Sequence, residues 1–154
     1  MGWVNNDSPF FIVATNMPAR DIYHDAIKNA LIKDGWFITA DPYPVKYEEI
    51  KLMADLAGKK TIAATKQNRK IVVEIKSFLS RSPMREFETA LGQCLIYQTF
   101  LELTHPEYRV YLAVGEDIYE KFFEQVAIQV VLQKFKLPII IVDIKQEEIV
   151  KWIS

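Results

Sequence analysis

The chain has 154 residues, of which half are hydrophobic and a quarter are charged, and its formal net charge is −1. These totals predict one folded domain with its own core and exclude a disordered chain. The low net charge excludes a protein that coats nucleic acid through general positive charge, so any DNA contact must use a local basic patch. The single cysteine, Cys94, excludes an intrachain disulfide and fits the reducing cytoplasm, where we expect the protein to act.

The N-terminal residues differ in pattern from the rest of the chain. Residues 1–16 include Asn, Ser and Pro without a period, and we interpret them as an extension that adds at most an edge strand over 10–14. A single domain is expected over residues 17–154. The apolar run at 10–14 is too short for a signal-peptide core. No stretch approaches the ~20 apolar residues of a membrane span, so we expect no membrane partner.

Hydrophobic periodicity predicts alternating helices and strands. In chain order these are a helix over 20–34, a strand over 36–39, strands over 61–65 and 71–78 joined by a turn at 67–69, a helix over 82–103, a strand over 108–114, a helix over 117–135, a strand over 138–144 and a helix over 147–153. Residues 46–54 fit a helix and a strand equally. The strand over 138–144 is apolar enough for a central, doubly covered position. This order predicts an α/β fold with a mixed central sheet and helices on both faces.

A carboxylate and an ammonium interrupt one of the apolar strands. Glu74 and Lys76 are two residues apart and therefore share one face, while Ile71, Val73 and Ile75 share the other. Such a pair can be a solvent-facing ion pair, which stabilises a fold by only ~0–1 kcal/mol. It can also be the E-x-K half of a metal-dependent nuclease site. In that case the carboxylate holds a metal and the lysine orients or activates a water.

A second carboxylate near Glu74 would complete a metal site. Asp55 precedes the predicted strand pair, and two carboxylates at one end of a sheet repel unless a cation lies between them. Mg²⁺ or Mn²⁺ would remove that repulsion and polarise a phosphoryl oxygen, which suits phosphodiester hydrolysis. Glu48 and Glu49 are alternatives to Asp55. Taken alone, Asp55 is more typical of a turn before Gly58.

Three further polar side chains have both a functional and a structural interpretation. His24, on the first predicted helix, offers an imidazole nitrogen to a divalent ion, although a lone histidine on a helix is more often a partly buried structural residue. Gln93 and Tyr97 are four residues apart on one face of the long helix. They can position Lys76 or a DNA backbone, or they can be polar residues at the edge of the core. We interpret Cys94 as a core residue.

Basic residues are concentrated around the predicted strand pair with no acid among them. They are Lys59, Lys60, Lys66, Arg69 and Lys70, and Arg81 and Arg85 flank the start of the next helix. A solvated hairpin and a phosphate-binding rim explain this pattern about equally well. Under the second interpretation, these side chains contact DNA.

The ordered set of polar residues resembles the PD-(D/E)XK restriction-endonuclease-like superfamily. The resemblance rests on His24, Asp55, Glu74-x-Lys76 and Gln93-x-x-x-Tyr97. With the histidine on the first helix, the set is similar to the RecB-like branch of that superfamily. The resemblance implies a three-layer α/β/α fold with a mixed central sheet. It also implies that the histidine and both acids bind the metal, that the lysine assists catalysis, and that the Gln and Tyr form the branch's additional motif.

Longer segments resemble the XisH family, the cyanobacterial fdxN element excision controlling factors. These segments are Met17–Asp25, Ala30–Trp36, Val73–Phe78 and Gln146–Ser154. The resemblance implies a role in the excision of a DNA element, with DNA, a site-specific recombinase and the companion protein XisI as partners. Self-association is left open. The resemblance does not establish catalysis, because a fold and a family role do not fix a mechanism.

The sequence therefore supports three functional hypotheses. The leading hypothesis is a divalent-metal-dependent DNA nuclease that acts in, or controls, DNA rearrangement. The second is a non-catalytic control factor that binds XisI or a recombinase, which the near-neutral charge favours. The third and weakest is a nuclease toxin that XisI neutralises.

Overall fold

Helices and strands alternate along the chain in the structure, a computed structural model that describes residues 19–52 and 61–154. The elements are α1 (Ala19–Lys33), β1 (Phe37–Ala40), β2 (Val45–Tyr47), β3 (Ile50–Leu52), β4 (Thr61–Lys66), β5 (Arg69–Ile75), α2 (Pro83–Thr104), β6 (Tyr108–Gly115), α3 (Glu116–Ile118) continued by a π-helical turn (Tyr119–Phe123), α4 (Val126–Phe135), β7 (Ile139–Asp143) and β8 (Glu148–Ile153). Most of the predicted elements are therefore present, within a few residues of their predicted ends.

Six strands form one mixed sheet in the order β1-β4-β5-β6-β7-β8, while β2 and β3 form a separate hairpin. The central strands β5, β6 and β7 run parallel to one another, and the remaining neighbours in the sheet pair antiparallel. The predicted mixed α/β fold is thus confirmed. The strand predicted over 138–144 is β7, which lies between two neighbours and is buried over most of its length, as expected.

Local signals in the sequence fix the ends of the helices. Gly35 follows α1 with φ +94°, a conformation that glycine adopts without steric cost, and its amide donates to the Ile32 carbonyl. At the start of α2, the Ser82 hydroxyl accepts a hydrogen bond from the Arg85 amide at 3.2 Å. Pro83 occupies the first turn, where no amide donor is needed.

Two apolar clusters cover the sheet, one against α1 and one against α2. Val73 on β5 packs in the cluster that contains Ile27 and Leu31 of α1. Val72 packs in the cluster that contains Leu101 of α2. Because side chains alternate along a strand, Glu74 shares the α2 face with Val72.

The C-terminal segment is a strand, so the helix predicted over 147–153 is wrong. β8 pairs antiparallel with β7, with Ile140 opposite Trp152. Ile149, Trp152 and Ile153 have spacings of three and four, which fit a helix face as well as the edge of a sheet. The segment forms a strand because it pairs with the open edge of β7, and the local sequence does not reveal that edge.

The helix predicted over 117–135 is interrupted. After the π-helical turn, Gln125 is extended with ψ 143° before α4 begins. The preceding turn buries the adjacent rings of Phe122 and Phe123, which contact Phe78 and Phe87. We attribute the interruption to the packing of these two neighbouring rings into one aromatic cluster. The ambiguous residues 46–54 include most of β2 and the whole of β3.

Several sequence-based predictions fall outside the described residues. These are the edge strand over 10–14, the first acid Asp55, and the basic residues Lys59 and Lys60. Within residues 19–52 and 61–154, no helix has the length and apolar character needed to cross a bilayer.

Candidate functional site

The end of β5 brings the predicted acid and lysine together. β4 and β5 pair antiparallel so that Thr61 lies opposite Glu74. Lys76 is the first residue beyond β5, and its amide still donates to the Ala113 carbonyl of β6 at 3.2 Å. This backbone bond holds Lys76 in line with the strand, and its Nζ lies 3.6 Å from Oε2 of Glu74.

The Glu74–Lys76 pair is buried. Glu74 has 0% of its surface exposed and Lys76 has 5%. The Thr61 hydroxyl, itself buried, donates to Oε1 of Glu74 at 2.7 Å. Removing two charges from water costs several kcal/mol each, and their attraction offsets that cost only with good geometry and further hydrogen bonds. The pair is therefore not the solvent-facing ion pair that the sequence also allowed.

Helix α2 closes over this carboxylate with Tyr97 and Cys94, both buried. The Tyr97 phenol interacts with Thr61 and with Glu74, and its pKa is raised by burial and by the negative charge of Glu74. Burial also raises the pKa of the Cys94 thiol, with Glu74 adding to the shift and Lys76 opposing it. Cys94 is thus a protonated core residue beside the charged pair, as its apolar context predicted.

Gln93 lies one turn before Tyr97 on α2, where the two can share a face of the helix. It is partly buried, and its side-chain oxygen Oε1 is shielded from solvent. No donor among the described residues reaches this oxygen. A buried acceptor without a donor costs free energy, so this carbonyl is suited to receive a hydrogen bond from a bound molecule.

His24 belongs to a second polar cluster, formed by α1 and the residues after β1. Its Nε2 lies 3.0 and 3.1 Å from the two carboxylate oxygens of Asp41, and Lys28 donates to Asp41 at 2.7 Å. Burial raises the pKa of Asp41, but the hydrogen bonds from Lys28 and His24 outweigh it and hold that pKa below its usual value. Asp41 is therefore a carboxylate at neutral pH.

The two clusters lie at the same end of the sheet. Asp41 follows Ala40, which pairs with Ala63 two residues after the start of β4. The amide of Tyr43 then donates to the carbonyl of Thr61 at 2.7 Å. The chain beyond β1 consequently runs beside the Thr61–Glu74 end of the β4–β5 pair.

The predicted metal ligands are only partly described. Glu74 and His24 are at one end of the sheet, whereas Asp55 lies outside the described residues. In the described part of the chain, no group of three or more His, Cys, Asp or Glu side chains is arranged to hold a metal ion. The three-ligand site of His24, Asp55 and Glu74 stays a prediction.

The described residues of the predicted DNA-binding set lie at the opposite end of β5. Arg69 begins that strand, so it is about 17 Å from Glu74 at roughly 3.4 Å per residue. Arg69 stacks over the rings of two tryptophans, Lys66 pairs with Asp34, and Lys70 lies 5.8 Å from the ring centre of Tyr108. A DNA contact through these side chains stays a prediction, and it would be separate from the Glu74 end.

Two residues of the site, Thr61 and Asp41, are absent from the predicted set. The turn has two residues, Gln67 and Asn68, and the register of β4 and β5 on either side of it places Thr61 opposite Glu74. The sequence would therefore have identified the threonine if the turn had been defined as two residues. Asp41 precedes a proline, and this local pattern indicates only the end of a strand. Its contact with α1 is tertiary and leaves no signal in the local sequence.

Comparison with known proteins identifies the family. The model of the family described as "XisH protein" matches residues 17–150. A crystal structure of an XisH family protein from Nostoc punctiforme PCC 73102 is 38% identical, with a TM-score of 0.80, and the match covers 87% of this chain and 100% of that one. The structure of an fdxN element excision controlling factor protein from Anabaena variabilis has the same identity, TM-score and coverage of this chain, and 99% of that chain is covered. No curated protein matches significantly. This chain belongs to the XisH family.

Proposed function

We propose that this protein is a divalent-metal-dependent DNA nuclease of the restriction-endonuclease-like type, which acts in the control of DNA excision. The excision role is supported by the name of the Anabaena variabilis relative, an fdxN element excision controlling factor. The nuclease activity is supported by the polar residues at the end of β5. The choice of a restriction-endonuclease-like type is supported by a mixed sheet with α1 packed in one apolar cluster and α2 in the other.

The buried Glu74–Lys76 pair is the observation that carries the proposal. A fold gains little from such a pair, because apolar residues of similar volume are often as stable or more stable. Here the pair is supported by a threonine hydroxyl and a tyrosine, and it lies at the end of a parallel strand. Charged groups held without solvent in a fixed geometry are typical of catalytic sites.

The donor atoms at this end of the sheet suit a divalent cation. Glu74 offers carboxylate oxygen, and His24 has a buried ring nitrogen, Nδ1, with no partner among the described residues. These two side chains would hold Mg²⁺ or Mn²⁺ together with Asp55, the acid predicted from the sequence. When bound, the ion would supply Lewis acidity and lower the pKa of a water.

The residues around the carboxylate have separate tasks in this proposal. The Lys76 ammonium stabilises negative charge on the phosphate and orients the attacking water. Thr61 and Tyr97 fix the Glu74 carboxylate, and Gln93 accepts a hydrogen bond from the bound strand or water. The exposed Arg81 and Arg85, near the start of α2, are suited to hold the DNA backbone at this end of the sheet.

A cleavage assay tests the proposal. Wild-type protein and the variants Glu74→Gln, Lys76→Met and Glu148→Gln are incubated with single-stranded, duplex and branched DNA in Mg²⁺ or Mn²⁺. Glu148 is an exposed acid on β8, so its variant is the matched control for loss of a carboxylate. We expect cleavage by wild type and by Glu148→Gln, and none by the other two. Cleavage that survives in folded Glu74→Gln would refute the assigned site.

A second candidate function, a control factor that acts by binding a protein partner, is favoured by the surface of α2. Its residues 89–101 carry no charge, and Ile96 and Leu103 are exposed by 46% and 63%. The centres of protein interfaces are depleted of charged residues, so an uncharged helix surface with exposed apolar side chains is suited to bind a protein. XisI and a recombinase are the partners that the family resemblance implies.

Co-purification with XisI distinguishes this second function. The binding candidate predicts a stable complex that is weakened by Ile96→Glu and Leu103→Glu but unchanged by Glu74→Gln. Absence of any complex with wild-type protein would count against it.

A further inference from the structure

The buried imidazole of His24 pairs with the partly buried carboxylate of Asp41, and the site described above does not explain this pair. His24 is 5% exposed, and both oxygens of Asp41 lie within 3.1 Å of its Nε2. An ionised carboxylate only accepts hydrogen bonds, so the ring nitrogen that faces it must be the donor. The contact with Asp41 therefore places the hydrogen on Nε2.

The other ring nitrogen has a different environment. Nδ1 is buried, and nothing in residues 19–52 or 61–154 makes a hydrogen bond to it. In a neutral ring with hydrogen on Nε2, Nδ1 carries a lone pair. A buried lone pair next to a sheet end that already holds a carboxylate is suited to a cation.

Lys28 is a second partner of the Asp41 carboxylate. Its Nζ donates to Oδ2 of Asp41 at 2.7 Å. Asp41 therefore remains an acceptor while its orientation is fixed by two partners. Histidines that bind metals almost always donate their second N–H to a carboxylate, a carbonyl or a water, which orients the ring.

We propose that Asp41 is a positioning residue that holds His24 in its Nε2–H tautomer and so presents the Nδ1 lone pair to a divalent cation. The inference rests on the proposed function for the identity of the ligand, but the tautomer can be tested in the metal-free protein. It assigns a role to Asp41 and names the ligating atom of His24.

Nitrogen NMR of the histidine rings tests the tautomer. The protein is labelled with ¹⁵N-histidine, and His105→Gln identifies the His24 signals, since these are the two histidines of the chain. We expect Nε2 to carry the hydrogen in wild type and in Lys28→Met, which removes a cation without touching the ring. We expect Asp41→Ala to give a mixture of tautomers and Asp41→Asn, whose amide oxygen still accepts, to restore the wild-type pattern. A ring with hydrogen on Nδ1 in wild type, or an unchanged ring in folded Asp41→Ala, would overturn the proposal.

Binding of Mn²⁺ tests the ligating atom. Calorimetry should give an affinity about 10- to 100-fold lower for Asp41→Ala than for wild type, with partial recovery in Asp41→Asn. In wild type, Mn²⁺ should broaden the Nδ1 signal of His24 more than its Nε2 signal. Equal affinities, or stronger broadening of Nε2, would overturn the proposal. The two proposals can fail separately. If Glu74→Gln cleaves DNA as well as wild type does, the nuclease site is rejected. If the NMR spectra still show a fixed Nε2–H tautomer, the role of Asp41 in orienting the ring stands.

Discussion

Neutralising one member of the Glu74–Lys76 pair is expected to destabilise the protein far more than neutralising both. Glu74→Gln leaves the Lys76 ammonium in a site with 5% exposure, and Lys76→Met leaves a fully buried carboxylate. Loss of one partner of a buried pair costs about 3–5 kcal/mol. For a domain of this size, 1 kcal/mol corresponds to roughly 2–4 °C, so each single variant should melt about 6–20 °C below wild type.

The double variant Glu74→Gln/Lys76→Met contains no buried charge at this position. Replacement of a buried pair by neutral groups is often close to neutral, so its stability should recover most of the loss. The coupling energy from the four proteins should reach at least about 2 kcal/mol. Urea unfolding, followed by circular dichroism at constant pH, gives the four free energies.

The Lys66–Asp34 pair supplies the matched control. Its nitrogen and oxygen are also 3.6 Å apart, but the two side chains are 35% and 41% exposed. Exposed pairs typically couple by 0.2–1 kcal/mol, so the cycle Asp34→Asn, Lys66→Met should give a value of about this size. Equal coupling energies for the two pairs would refute the reasoning that burial makes the loss of one charge of the Glu74–Lys76 pair so costly to stability.

Three further predictions concern single positions. Thr61→Val should cost about 1.5–3 kcal/mol in urea unfolding, because it removes a hydrogen bond to the Glu74 carboxylate, and Thr61→Ser should restore most of that loss; wild-type stability in Thr61→Val would contradict it. Cys94 should not react with a thiol reagent in the native protein, because burial raises its pKa and restricts access, but it should react fully in urea; rapid native reaction would contradict its placement. Gly35→Ala should cost about 1 kcal/mol because of its positive φ, whereas Gly92→Ala, with open space around the added carbon, should stabilise by roughly 0.5–1 kcal/mol; thermal melts that shift in the same direction would contradict the assignment.

The sequence predicts elements well where the local pattern and the tertiary position agree. The alternation around Val72 and Val73 predicts the two faces of β5 correctly, and Ser82 marks the start of α2. The prediction fails over 148–153, where apolar spacing fits a helix and a strand. There the choice depends on the free edge of β7, which is a property of the folded sheet.

The candidate site was predictable to a similar extent. The proximity of Glu74 and Lys76 follows from a strand period of two, and the structure adds their burial, which no local pattern reports. The hydrogen bond from Thr61 follows from the hairpin register once the turn is known. The contact between His24 and Asp41 joins residues 17 apart through the packing of α1 and was beyond the reach of local periodicity.

Binding of Mn²⁺ is the most direct test of the claim that the end of β5 is a metal-dependent hydrolytic site. Calorimetric titrations of wild type, Glu74→Gln and the surface control Glu148→Gln should be compared under one set of conditions, with folding verified by circular dichroism. We expect wild type and Glu148→Gln to bind with the same affinity and Glu74→Gln to bind at least 10-fold more weakly. Equal binding by all three folded proteins, or binding by none, would contradict it.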